Sequence, residues 1–227
     1  MIRNKFVARY STSLVRQVTD FLTNAVIEGK LKGGERLGEA ELQRRFGISR
    51  GPIRESFRIL EANGLLITIP RKGTFVRKIT GEYIEEVFPI RANLEGLAAR
   101  LAISHLEAND FKKMKLVLTK MIEAAEKMDL KSYIKHHYLY HQIYVNATKN
   151  KTLIEILENL RRQAIWFLFS SPYDQENYEY GIDAHRRILD FFIKRDAKKV
   201  EALVMEHIMT SYNKFLPFWQ SKSSESL

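Results

Sequence analysis

The sequence predicts a mainly α protein in two parts. The first is an N-terminal winged helix-turn-helix (three helices plus a β-hairpin wing). The second is a C-terminal all-α helical bundle. Three observations predict it. Residues 13–63 carry three apolar stripes at helical spacing, separated by glycine turns. Residues 65–76 hold two short β-rich runs around a Pro70-Arg71-Lys72-Gly73 turn. From Glu82 to Phe215 the pattern is helical throughout, with short breaks.

The first helix reads from Ser13 to Glu28, where Leu14, Val18, Phe21, Leu22, Ala25 and Val26 share one face. Gly29 stops it, and Gly33-Gly34 marks a turn. A short helix follows over 39–46, with Leu42 and Phe46 four apart. The third runs over 50–63, with Ser49 as its expected N-cap. Pro52 lies in its first turn, where a missing N–H does no harm. Ile53, Phe57 and Leu60 face inward, and Gly64 ends the helix. The wing strands read as 65–69 and 74–76. Residues 1–78 thus form one domain, and 79–81 the linker. Six helices follow, over about 82–106, 109–128, 131–147, 151–170, 176–194 and 196–215. The helical domain is read as 82–216, and 217–227 as a frayed tail.

The chain has no cysteine, which excludes a disulfide framework and a thiolate metal site. Residues 1–13 are polar and basic, without the apolar run of a signal peptide, and no stretch is apolar enough to span a membrane. The expected location is cytoplasmic, with no membrane partner. The net charge is +10. Residues 1–78 carry 16 Lys and Arg against 7 Asp and Glu, whereas the rest carries 21 against 20. A basic domain joined to a nearly neutral one points to a polyanion partner for the first alone. A merely solvated basic surface, or attraction to a membrane, would give the same totals.

The order of elements separates these readings. Arg50 and Arg54 lie four apart near the start of the third helix, hence on one face. In a helix-turn-helix that end enters the major groove. Arginine can fork onto guanine O6 and N7, or grip phosphate. Ser49 and the first backbone N–H groups suit a phosphate. Arg71 and Lys72 sit at the wing tip, and Arg44 and Arg45 on the second helix can reach the backbone. One basic helix would be weak support for duplex DNA. Helix, turn, basic helix and basic hairpin in sequence are strong support.

The segments Gly29-Lys-Leu-Lys-Gly-Gly-Glu-Arg-Leu37, Glu39-Ala-Glu-Leu42, Phe46-Gly-Ile-Ser-Arg-Gly-Pro-Ile-Arg-Glu55 and Leu60-Glu-Ala-Asn-Gly-Leu65 resemble the GntR family over about residues 11–78. The resemblance implies DNA contacts at Ser49, Arg50 and Arg54, with the wing around Lys72, Gly73 and Thr74. Some members carry a further arginine at the position of Ala40, which is absent here. The resulting set of expected DNA-binding residues is Arg45, Ser49, Arg50, Arg54, Arg71, Lys72, Gly73 and Thr74.

All six histidines follow residue 100. His137 and His141 share a helix face. His185 and His207 flank the break at Arg195-Asp196, each about 11 residues away. If those helices fold back on each other, both histidines lie about 16 Å from the turn and are level. Three helices then aim four imidazoles at one point inside a bundle, a common place for a metal. His105 and His136 read as surface residues. An all-imidazole site favours Zn²⁺ or Ni²⁺ over Mn²⁺ or Mg²⁺.

Residues 82–215 resemble the FCD effector-binding domain of the FadR branch of GntR regulators. Its entry pattern stands here as Arg91-Ala-Asn-Leu-Glu-Gly-Leu-Ala-Ala-Arg-Leu-Ala102. Its Asp-x-x-Phe-His element stands as His137-Tyr-Leu-Tyr-His141, with Asn150 nine residues on. The resemblance implies a divalent cation held at His137, His141, His185 and His207, with histidine replacing the usual aspartate at His137. It also implies a small carboxylate effector beside that metal, with Arg91 as a second anchor. A salt bridge to Glu95 is the competing role for Arg91.

The function expected is a ligand-responsive transcriptional regulator. Its partners would be a double-stranded, pseudo-palindromic operator, and a second copy of itself, because one such motif reads only a half-site. Two other readings compete. A metal-dependent hydrolase needs a general base, and the nearest acid, Glu206, adjoins His207 but projects in another direction. A ligand-free architectural DNA-binding protein would have a dry, apolar bundle core.

Overall fold

The computed structural model describes residues 13–78 and 80–224. The chain divides into two compact units, Met1–Ile79 and Thr80–Leu227. In the first, helix α1 (Leu14–Ile27) starts at Ser13, whose side chain accepts from the Arg16 N–H. Its buried face of Val18, Leu22, Ala25 and Val26 packs on α3 (Arg50–Ala62). Helix α2 (Glu39–Phe46) closes on Gly47, whose φ of 67° is the left-handed conformation that ends a helix with least strain. Phe46 meets Phe21 edge to face, with centroids 5.2 Å apart. Ser49 stands at the N-cap of α3 with extended backbone. Its exposed side chain makes no capping bond, contrary to expectation.

The wing has three strands, one more than the sequence pattern suggests. Strands β2 (Leu66–Ile69) and β3 (Gly73–Val76) form the expected hairpin, and β1 (Arg36–Leu37) pairs with the outer side of β3. All pairings are antiparallel, with Arg36 opposite Phe75 and Ile69 opposite Gly73. Two residues are too few for an alternation to register in sequence.

The second unit contains α4 (Gly81–Ala102), α5 (Ala108–Glu126), α6 (Leu130–Ala147), α7 (Lys151–Ser170), α8 (Gln175–Ile193) and α9 (Ala197–Ser224). Caps set most of the starts. Thr80, Asp129, Asn150 and Asp174 each accept from a backbone N–H in the first turn that follows. Thr80 and Gly81, read from sequence as linker, therefore open α4. Helices α4 and α9 pack closely along their length. Gly96 permits this approach, because a Cβ there would lie 2.6 Å from Met205 Cγ and 3.2 Å from the Glu201 carbonyl.

Residues 217–224, expected as tail, continue α9. Pro217 lacks one N–H, but the apolar period persists beyond it. Trp219 is buried against Phe167, and its Nε1–H donates to Ser171 Oγ at 2.9 Å. Among the described residues no helix is long and apolar enough to cross a membrane.

Candidate functional site

The turn at Arg195-Asp196 folds α9 back on α8. Arg195 takes φ 58°, and its guanidinium donates to the carbonyls of Ile103 and Leu106. This hairpin brings His185 and His207 level, with ring centroids 4.6 Å apart. His137 and His141 on α6 stand 4.6 Å apart and face the same point. One ligand nitrogen from each of the four lies within 4.8 Å of the others. His141, His185 and His207 are buried, and His137 keeps partial exposure. His136 stays outside the cluster, its Nδ1 bonded to the Ser132 carbonyl at 2.8 Å. His105 is exposed.

The tautomers follow from the partners. His185 Nδ1 lies 2.5 Å from the Gly181 carbonyl, so it carries the proton. His141 Nδ1 lies 2.5 Å from Glu95 Oε2, again an acceptor. Both Nε2 atoms are then bare lone pairs, and they face each other at 3.0 Å. His207 Nδ1 is buried without a hydrogen-bond partner among the described residues. Burial, then the neighbouring His141, drives the His185 pKa down to about 3. Burial also holds His137 and His207 well below the usual imidazole range.

Glu95 organises one side of this cluster, a role the sequence reading missed. It is fully buried. It accepts from Arg91 Nε at 2.8 Å, from His141, and from the Tyr144 hydroxyl at 2.6 Å. Arg161 Nε stands 3.6 Å away. Burial alone would raise the Glu95 carboxyl; Arg91, His141 and Arg161 outweigh it and hold it well below the usual range. A shell of tyrosines surrounds the imidazoles. Tyr140 donates to the His185 carbonyl at 2.9 Å, and Tyr133 lies parallel to His137. The signal was present in sequence: Tyr133, Tyr140 and Tyr144 recur at helical spacing around His137 and His141.

Arg91 has two competing expected roles, an ion pair with Glu95 and an effector anchor. It pairs with Glu95, and it lines a small cavity beside His137 and His207. That cavity, about 20 Å³, has room for little more than one water. Lys214 lines it too, bonded to Glu176 at 2.9 Å. Glu206 lies exposed, 3.9 Å from Arg187.

The burial of these neutral imidazoles gives a pH dependence. An imidazole with a depressed folded pKa stabilises the fold fully above its unfolded value of about 6.5. That stability declines as pH falls from there towards the folded value. For the metal-free protein, moving from pH 7.5 to 5.5 is expected to cost about 1.4 kcal/mol from His185 alone. Urea unfolding in chelator at the two pH values measures it. Equal stability at both would show that His185 is not buried neutral.

In the first unit, Ser49, Arg50, Arg54, Arg71 and Lys72 are exposed, and Arg45, Gly73 and Thr74 are partly buried. Arg71 sits at the wing tip with φ 63°. An open cleft beside the start of α3 is lined by Ala40, Gln43, Arg44 and Ser49.

Comparison with known proteins accords with both units. Residues 14–76 match the model for bacterial regulatory proteins of the gntR family, and residues 86–210 match the FCD domain. The chain is 28% identical over 191 residues to the HTH-type transcriptional regulator YdhC of Bacillus subtilis, covering 82% of this chain and 84% of that protein. It is 28% identical over 201 residues to the HTH-type transcriptional repressor GlaR of Escherichia coli, covering 84% and 90%. Among solved structures, Escherichia coli McbR/YncC shares the fold, with a TM-score of 0.77 at 24% identity over 88% of this chain and 95% of that one. The chain therefore belongs to the GntR family, with an FCD domain at its C-terminal side, and is a DNA-binding transcriptional regulator, not an enzyme.

Proposed function

We propose that this regulator binds a pseudo-palindromic duplex as a homodimer, and that a small carboxylate effector controls it from a metal centre in the helical unit. His137, His141, His185 and His207 would hold one divalent ion, zinc or nickel in preference to manganese or magnesium. The observation that carries this is the 3.0 Å approach of His141 Nε2 to His185 Nε2. Two lone pairs repel at that distance unless a proton or a cation lies between them. Burial opposes the proton, so a cation fits. Glu95 and the Gly181 carbonyl orient the two rings, as outer partners do in metal sites.

A bound ion would supply positive charge for an anionic oxygen. Arg91, on the same cavity wall, offers the second anchor for a carboxylate. The cavity would have to widen to admit one, and Lys214, paired with Glu176, is part of its lining. In the first unit, Arg50 and Arg54 would read base edges. Arg45, Ser49, Arg71, Lys72, Gly73 and Thr74 would position the duplex through its phosphates and groove.

Metal analysis by mass spectrometry tests the centre. The purified protein, incubated with zinc or nickel and desalted, is expected to carry about one ion per chain, and His141→Ala to lose it. Wild-type protein that retains no ion after either incubation would exclude the metal and leave the histidines as buried polar residues.

A further inference from the structure

Helix α3 carries three arginines, Arg50, Arg54 and Arg58, and they are held differently. Arg58 pairs within its own helix, 3.4 Å from Glu55. Arg50 and Arg54 are instead bridged to α2. Arg50 Nε donates to Gln43 Oε1 at 3.1 Å. Arg54 Nε donates to Glu39 Oε2 at 2.8 Å. Glu39 and Gln43 are four apart on α2, and Arg50 and Arg54 four apart on α3. The two bonds therefore form successive rungs between neighbouring helices.

Both rungs use Nε–H. The two terminal nitrogens of each guanidinium are the pair that spans O6 and N7 of a guanine, and the rungs do not use them. We infer that Glu39 and Gln43 are positioning residues for sequence reading: they pre-set the Arg54 and Arg50 side chains, and Glu39 also weakens binding to irrelevant DNA. The inference rests on the assignment of Arg50 and Arg54 as base readers.

Two physical effects support it. An unbraced arginine loses rotamer freedom when it docks, so a brace formed before binding lowers that cost. A carboxylate beside the duplex repels phosphate, and phosphate attraction dominates binding to random sequence. The correct base recovers the brace's benefit, whereas random sequence meets only the repulsion. Discrimination then comes from both sides.

The test is selection from a random double-stranded DNA library by the full-length protein, with affinities for the selected duplex and for random duplex measured at one salt concentration. Wild type is compared with Glu39→Ala, Glu39→Gln, Gln43→Ala and Arg54→Ala. Glu39→Ala is expected to bind random duplex more tightly. Its ratio of specific to random affinity should fall about tenfold. The base position it relaxes should be the one relaxed by Arg54→Ala. Glu39→Gln keeps an acceptor for Arg54 Nε, so it should retain the base preference while still gaining random affinity. Gln43→Ala should relax the position read by Arg50.

Three results would overturn the inference. One is a motif and ratio unchanged in both Glu39→Ala and Gln43→Ala. Another is a rise in the ratio of specific to random affinity in Glu39→Ala, which would make Glu39 a competitor for Arg54. The third is loss of a cytosine that Arg54→Ala still selects, which would make Glu39 itself a base reader. Wild-type protein that selects no motif would remove the base-reading assignment along with the brace.

Discussion

Glu95→Ala is expected to destabilise the helical unit by about 3–5 kcal/mol, the usual cost of removing one partner from a buried charge network. The change removes the counter-charge of Arg91 and Arg161, both buried, although Arg161 keeps its bonds to Gln142 and the Tyr138 carbonyl, and it leaves the Tyr144 hydroxyl and His141 Nδ1 without their carboxylate. At roughly 2–4 °C per kcal/mol for a protein of this size, the melting temperature should fall by about 10 °C. Glu95→Gln retains an acceptor and should lose less. A melting temperature unchanged in Glu95→Ala would mean that the network is not formed in solution.

The second large effect concerns DNA. Arg50→Ala or Arg54→Ala should each remove about 1–3 kcal/mol of discrimination per half-site. In a two-fold complex both half-sites lose it, so specific affinity should fall by at least about 30-fold, with random binding far less affected. Arg71→Ala at the wing tip should behave differently. It should weaken all sequences alike and reduce the salt slope by about one. Fluorescence anisotropy on selected and random duplexes, across a salt series, separates the two patterns. Equal losses on both duplexes for Arg54→Ala would make it a phosphate contact.

Much of this was legible in the chain because the signals were local and repeated. Glycine turns at Gly29, Gly47 and Gly64 bound helices whose apolar faces recur in period, so the first unit could be read element by element. The meeting of His185 with His207 needed only an equal count of residues either side of Arg195-Asp196. What escaped depends on partners distant in sequence. Glu95 reads as half of an Arg-Glu pair four apart. Its bonds to His141 and Tyr144 cross 46 and 49 residues. The run of α9 through Pro217 rests on Trp219 finding Phe167 and Ser171, again far away. Strand β1 is made by its neighbour, because two residues have no pattern of their own.

On the proposed function, anions bound at the histidine centre control DNA binding by this regulator. The direct measurement is anisotropy of a selected duplex with zinc-loaded protein, titrated with a panel of small carboxylates, for wild type and His141→Ala. At least one carboxylate is expected to shift the wild-type affinity about fivefold or more and to leave His141→Ala unmoved. A shift of equal size in both proteins would place control elsewhere and contradict it.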